Sequence, residues 1–341
     1  MTSLNSVTTA LGRASFKAAI QESMGTIHLS KAFTVVEAVT FKRSCQEAFE
    51  QNPGLKEIIL DFSATNFIDS SGIGALVICH KLCQSKEAKL KLINVPPQVM
   101  MALSLTELDK VFDITQAQNS LSNVPAAKAQ TVLENLPETH PSVRSKAKRA
   151  MDILGALVGL AITAVLVVVV GFLIKREDGG PIFFAQTRCS WMGKRFKIWK
   201  FRSMVTDAEA RKREVANKIE GPLFKNDDDP RITKVGRFLR RTSLDEFPQF
   251  WNVLKGDMSL VGTRPPTPDE IEQYEVPQWQ RLNVKPGMTG EWQVNGRSTV
   301  TKFEDVIQLD LQYQRKWSLM YDVQLILKTV MVLFSKDSGA M

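Results

Sequence analysis

The stretch LRRTSLDEFPQFWNVLKGDMSLVGTRPP, residues 239–266, sets two adjacent carboxylates, Asp245 and Glu246, between a basic run and an apolar one. Two readings fit. Ser243, Leu244, Asp245 and Glu246 spell a capping box, in which Ser243 and Glu246 satisfy each other's orphan backbone donors. Pro248 weighs against it, because with Ser243 as the cap it is the fifth helical residue, where its ring displaces a helical hydrogen bond at a cost of about 3 kcal/mol. A helix that starts at Asp245 instead puts Pro248 inside the tolerant first turn. The carboxylates then sit at a helix N-terminus. Free N–H groups and partial positive charge there suit phosphate oxygens, once a cation offsets the acids' own charge.

Cations of the right kind recur along the chain: Lys200 and Arg202 in WKFRSM, Arg240 and Arg241 before the acidic pair, Arg264 in GTRPP and Arg297 in NGRS. Arginine suits phosphate because its planar fork donates two hydrogen bonds at once. Arg264 reads as phosphate-binding, while for Arg240 a plain surface charge fits equally well. Gly287 and Gly290 in KPGMTG either let backbone approach a nucleotide or form a turn. Asp227, Asp228 and Asp229 before Pro230 read as a solvated turn.

These residues need elements to hold them. Residues 14–116 alternate strand-like runs (GTIHLS, LKEIILDFSA, AKLKLINV) with helical ones over 36–51 and 72–85, the rhythm of an α/β sandwich. Residues 117–142 have no sustained apolar face and read as a linker. Residues 143–341 form the second domain. Within it, residues 153–174 are a charge-free apolar run of about 22 residues, long enough to cross a bilayer, which takes about 20 helical residues. Lys146, Lys148 and Arg149 precede this run and Lys175 and Arg176 follow it. Basic flanks at both ends place both on the cytosolic side, which requires a re-entrant helix. The segment YDVQLILKTVMVLF near the C-terminus packs on the core or lies in the membrane interface.

The chain has 341 residues and a net charge of +8. That excess implies an anionic partner, and its position beside the apolar run points to lipid head groups and no nucleic acid. Four cysteines, Cys45, Cys79, Cys83 and Cys189, show no metal-site pattern and suit a reducing cytosol. The first residues lack the apolar core of a signal peptide.

Five ordered blocks, KRAMDILGAL, GPIFFAQTR, GKRFKIWKFRSM, DDPRITKVGRFLRRTSLDEFPQFWNVLKGDMSLVGTRP and KPGMTGEWQVNGR, make the C-terminal part similar to the bacterial sugar transferases. These are monotopic phosphoglycosyl transferases that act on polyprenyl phosphate. FIDSSGIGALV and the strand and helix order around it resemble a STAS domain, the module of anti-sigma-factor antagonists. The implied fold is an α/β STAS sandwich, then a membrane-inserted re-entrant helix, then an α-rich α+β monotopic transferase domain.

The resemblance also implies roles. Asp245 is the nucleophile, and Asp245 and Glu246 are the ligands available to Mg²⁺. Lys200, Arg202, Arg264 and Arg297 bind substrate phosphates. Ser70, next to Asp69, is the phosphorylatable position, with a plain N-cap as the alternative. Two positions depart from the family pattern. Ala164 and Val165 stand where members commonly carry Ser-Pro in the membrane helix, leaving Thr163 as the only local bending device. Thr263 stands where members usually carry proline before the Arg264 equivalent.

The implied activity is transfer of a sugar 1-phosphate from a UDP-sugar to a polyprenyl phosphate, with release of UMP, as the first membrane step of exopolysaccharide or glycan assembly. The implied location is the inner (cytoplasmic) membrane, with both domains facing the cytosol. The implied partners are UDP-sugar, polyprenyl phosphate, membrane lipid, and a kinase or another STAS-binding protein. The rival reading is a non-catalytic membrane anchor presenting a STAS adaptor, which has no need of the acidic pair and its arginines.

Overall fold

In a computed structural model, the chain is described over residues 19–21, 23–115, 125–208, 210–211, 229–295 and 302–334. It divides into two compact units. The first takes the described residues of Met1–Thr139 together with Met192–Lys194 and Tyr274–Asn283. Its sheet runs β1 (Ala19–Gln21), β2 (Met24–His28), β4 (Glu57–Asp61), β6 (Lys89–Ile93) and β7 (Asp113–Thr115). All neighbours pair in parallel except the edge strand β1. The short pair β3 (Ala32–Phe33) and β5 (Phe67–Ile68) stands apart.

Parallel strands need covered faces. Helices α1 (Val35–Gln51), α2 (Ser70–Ser85) and α3 (Pro97–Leu105) supply the cover. Ile27, Ile58, Leu60 and Leu92 from the strands are buried with Phe41 and Cys45 of α1 and Ile73, Leu76 and Cys79 of α2. The expected strand and helix order of the sandwich is present.

The span expected as a linker carries a helix, α4 (Ala126–Glu134). Ala129 and Leu133, one turn apart, are both buried. Two apolar contacts at i, i+4 suffice to seat a short helix on a neighbour without a sustained apolar face in sequence.

The second unit holds His140–Trp191, Arg195–Gln273 and Val284–Met341. Its dominant element is α5 (Lys146–Asp178), 33 residues of unbroken helix and the only helix among the described residues long and apolar enough to cross a membrane. Around it lie the antiparallel hairpin β8 (Phe183–Cys189) and β9 (Arg195–Phe201), helices α6 (Lys234–Arg241) and α7 (Phe250–Lys255), the parallel pair β10 (Ser259–Val261) and β11 (Gly287–Thr289), and helices α8 (Phe303–Lys316) and α9 (Leu319–Phe334).

Both halves of α5 pack on this one unit. Ala156 joins Phe196, Ile198, Val253 and Met258 in one core cluster, and Val170 and Ile174 join Phe201 and Leu239 in another. Arg149 at its start donates to the carbonyls of Val253 (2.7 Å) and Leu254 (2.6 Å). Glu177 at its end accepts from the Lys234 amide at 2.8 Å, and Asp178 pairs with Arg202. The opposite side presents Leu154, Leu157, Val158, Ile162, Val165, Val168 and Phe172 bare. No reversal interrupts α5. Thr163 bonds back to the Gly159 carbonyl at 2.7 Å, which leaves the helix continuous where proline would have broken its ladder.

A buried network closes the start of α5. Lys148 Nζ lies 2.5 Å from Asp322 Oδ2 and donates to the Val261 carbonyl at 3.0 Å, while Tyr313 donates its hydroxyl to Asp322 at 2.9 Å. This ties α5, β10, α8 and α9 together.

Candidate active site

Asp245 and Glu246 lie on a six-residue 3₁₀ turn, Leu244–Gln249, that continues directly into α7. Ser243 has φ +55°, and its side chain makes no cap bond. The capping box is therefore absent. Pro248 falls inside the 3₁₀ turn, where its missing amide costs little. The α-helical N-terminus expected at Asp245 is instead a 3₁₀ turn that begins at Leu244, with both carboxylates in its first turn.

Four neighbours hold the turn. Thr163 of α5 donates to the Phe247 carbonyl at 3.3 Å. Gly159, one turn earlier, lies against the Phe250 ring, and a Cβ there would sit 2.4 Å from it. Lys200 on β9 reaches Glu246 at 2.8 Å. It lies on the same face of that strand as buried Phe196 and Ile198, which fixes its direction. Asn252 in α7 donates to the Lys197 carbonyl at 2.7 Å and accepts from the Trp199 amide at 3.1 Å, locking α7 to β9.

Asp245 is 6% exposed. Burial pushes its carboxyl up to about 6; Lys200 and Arg240 oppose the rise and Glu246 adds to it. At neutral pH such a group remains mostly ionised, with a more basic oxygen than a free aspartate has. The Arg240 Nη1 is buried without a hydrogen-bond partner. Arg240, half-buried, contributes to the electrostatics around Asp245.

A second cationic group gathers on Glu270. Arg264 grips its carboxylate with both terminal nitrogens, at 2.7 and 3.2 Å, and Arg188 Nη1 lies 3.8 Å from it. Arg188 also donates to the Pro265 carbonyl at 2.9 Å. Burial and the Arg264 charge push Arg188 down to about 10, while Glu270 and Glu246 pull the other way. Two guanidiniums gathered on the buried Glu270 carboxylate put positive charge within electrostatic reach of Glu246, a setting that suits a diphosphate.

The bacterial sugar transferase family model matches residues 143–336, more than half of the chain. The chain belongs to the bacterial sugar transferase family. A STAS domain matches residues 15–122. Among relatives, galactosyl transferase CpsE of Streptococcus agalactiae is 51% identical over 191 residues, which cover 55% of this chain and 42% of the relative. Undecaprenyl-phosphate galactose phosphotransferase of Salmonella typhimurium is 43% identical over 201 residues, covering 56% and 41%. Exopolysaccharide production protein ExoY of Rhizobium meliloti is 37% identical over 205 residues, covering 57% and 90%. The chain thus spans about two fifths of the length of the first two relatives and most of the third.

In the second unit, Lys200 pairs with Glu246 beside Asp245, and Arg264 pairs with Glu270. Arg202 is placed elsewhere: its guanidinium is clamped by both Asp178 oxygens and the Pro181 carbonyl (2.7 Å), so it fastens the end of α5. Arg297 lies outside the described residues. Arg188, not anticipated, ends the block GPIFFAQTR, and the only sequence signal for it was that position. Gly287 and Gly290 allow a close backbone approach to Gly262. A Cβ at Gly287 would lie 2.1 Å from the Gly262 nitrogen, and one at Gly290 would lie 2.0 Å from the Gly262 oxygen. Thr263 is buried and bridges Pro286, its carbonyl accepting from the Gly287 amide at 2.8 Å. Asp229 is no solvated turn residue; it is buried and accepts four bonds from Arg231, one from its amide and three from its guanidinium, at 2.6 to 3.1 Å, while Asp227 and Asp228 lie outside the described residues.

Two adjacent carboxylates suit Mg²⁺, which takes one or two such ligands and completes its shell with water and substrate phosphates. No group of three or more metal-ligating side chains exists among the described residues. Ser70, the expected phosphorylation site, is fully buried at the first residue of α2.

Proposed function

We propose that this chain moves a sugar 1-phosphate from a UDP-sugar to a polyprenyl phosphate and releases UMP, through a covalent intermediate on Asp245. The observation that carries the reading is a buried carboxylate, lifted to about 6, on a rigid turn next to Lys200 and within a basic surround of Arg188, Arg240 and Arg264.

In the first displacement an Asp245 oxygen attacks the phosphorus bearing the sugar. The bond from that phosphorus to the bridging oxygen breaks, and UMP leaves with the electron pair. In the second, a phosphate oxygen of the polyprenyl phosphate attacks the same phosphorus and Asp245 leaves as carboxylate. No net proton is consumed. An acyl phosphate is reactive enough for the second step. Lys200 fixes Glu246 and lowers the charge around Asp245, while Arg188 and Arg264 orient the diphosphate. Asp245 and Glu246 would hold Mg²⁺, whose charge offsets repulsion between carboxylate and diphosphate.

The acceptor is a lipid, and the bare apolar side of α5 supplies the membrane contact. With both ends of α5 fastened to one unit, this reading places the helix in one leaflet of the inner membrane with both ends on the cytosolic side.

The test is UMP release in nanodiscs with polyprenyl phosphate, Mg²⁺ and a panel of UDP-sugars. Release with at least one donor, lost in Asp245→Asn, is expected. No release with any donor would favour the non-catalytic anchor.

A further inference from the structure

The hairpin of β8 and β9 opens beside the apolar helix. Ile182, just before β8, lies against Gly171 of α5, where a Cβ would sit 2.9 Å from its side chain. Phe183 stacks on Phe201 with ring centroids 5.5 Å apart, and Phe201 packs with Val170 and Ile174. The same stretch of α5 leaves Val168, Val169 and Phe172 bare. The open end of the hairpin therefore adjoins the apolar surface that meets the lipid.

Residues directly opposite each other in an antiparallel pair project from one face. Phe184 is opposite Lys200, Gln186 opposite Ile198 and Arg188 opposite Phe196. Followed away from its start beside α5, this face of β8 carries an aromatic ring, an amide and a guanidinium in turn. Lys200 reaches Glu246 beside Asp245, and Arg188 reaches the Pro265 carbonyl and Glu270. Phe184 is 41% exposed. One exposed phenylalanine is ordinary on a protein surface. Its place decides the matter here, between a bare apolar helix and the cation that touches the acidic pair.

We propose that Phe184 is the apolar half of the acceptor site, its ring receiving the first isoprene units of a polyprenyl phosphate whose phosphate lies against Lys200. The inference rests on the proposed transferase activity and adds to it a residue that selects the acceptor. An isoprenoid phosphate has an anionic head that must reach Asp245 and a long apolar chain that must stay with the bilayer. Cross-strand partners hold their Cβ atoms about 4.5–5.5 Å apart, so Phe184 and Lys200 present apolar and cationic contacts side by side. The apolar stem of Lys200 lies along such a chain while its ammonium stays in the polar site. Arg188, at the far end of the same face, is left for the diphosphate of the donor.

The two substrates report on different half-reactions, which makes the contact testable. In nanodiscs, Phe184→Gln should lower kcat/KM for polyprenyl phosphate about tenfold, the scale of one lost apolar contact. The same variant should move kcat/KM for the UDP-sugar by less than about twofold, and Phe184→Leu should recover at least about half of the acceptor value. Equal losses for both substrates, or an acceptor value within about twofold of wild type in Phe184→Gln, would overturn the assignment. Photo-cross-linking reads the contact without turnover. The full chain with p-benzoylphenylalanine in place of Phe184 should cross-link to polyprenyl phosphate in nanodiscs. The same group in place of Trp199, on the other face of the hairpin, should cross-link to bulk phospholipid alone. Polyprenyl phosphate captured no better from position 184 than from position 199 would overturn the contact. A wild-type chain that releases no UMP, while position 184 still captures polyprenyl phosphate, keeps the acceptor site and loses the transferase activity.

Discussion

Asp245 carries its chemistry in its surroundings. Burial raises its pKa to about 6 and the Lys200 charge opposes that rise. A nucleophile must be ionised, so kcat/KM for the UDP-sugar at fixed Mg²⁺ should hold level at neutral pH and fall about tenfold per pH unit below about 6. Lys200→Met removes a charge that favours the ionised form, and the acid limb should then move to higher pH. A limb that stays in place would contradict this electrostatic role of Lys200. Arg202 teaches the converse. Its spacing from Lys200 could not reveal that Asp178, 24 residues earlier, had already claimed its guanidinium. Positions two apart fall on the same face of an extended run, but β9 ends at Phe201, and beyond it the alternation no longer holds.

Helix α5 positions the turn that carries Asp245 with its small residues. Gly155, Ala156, Gly159 and Thr163 fall on one side of the helix, where Leu260 meets Gly155, Phe250 meets Gly159, and the Phe247 carbonyl meets Thr163. Gly159→Leu would drive the Phe250 ring off the helix and shift the turn that carries Asp245, an overpacking of the kind that costs about 1–3 kcal/mol. UMP release should drop at least about tenfold in this variant and its unfolding temperature should fall. Leu157→Ala, on the bare side, should leave detergent-solubilised activity within about twofold; equal losses in both variants would contradict the assignment of faces.

The elements differed in how much of them could be read from sequence. Pro248 weighed against the capping box, although the box is in fact lost to the positive φ of Ser243 while Pro248 is accommodated in the 3₁₀ turn, and the alternation of strands and helices over 14–116 pointed to the sandwich. The 3₁₀ geometry from Leu244 was hidden, because it depends on Ser243 taking a positive φ that no residue type there announces. Helix α4 was hidden because two buried residues, Ala129 and Leu133, make no visible pattern. The glycines at 287 and 290 were visible as special, but their reason is the close approach of β10 and β11, a tertiary fact.

At the scale of the molecule, the two ends of α5 bind one unit, and the proposed topology rests on that arrangement. Single cysteines at Lys146 and Arg176, both exposed, in a background without the four native ones, should both resist an impermeant thiol reagent in intact cells and react once the membrane is opened. Labelling of one end from outside would mean that α5 spans, with the two domains on opposite sides. The proposed chemistry of the whole molecule nevertheless turns on a bond to one oxygen. Intact-protein mass spectrometry of wild type mixed with UDP-sugar and Mg²⁺, without acceptor, should show an added mass of one sugar phosphate. Peptide mapping should place it on Asp245, and polyprenyl phosphate should discharge it. Turnover without any adduct on Asp245, or undiminished turnover in Asp245→Asn, would contradict the covalent mechanism.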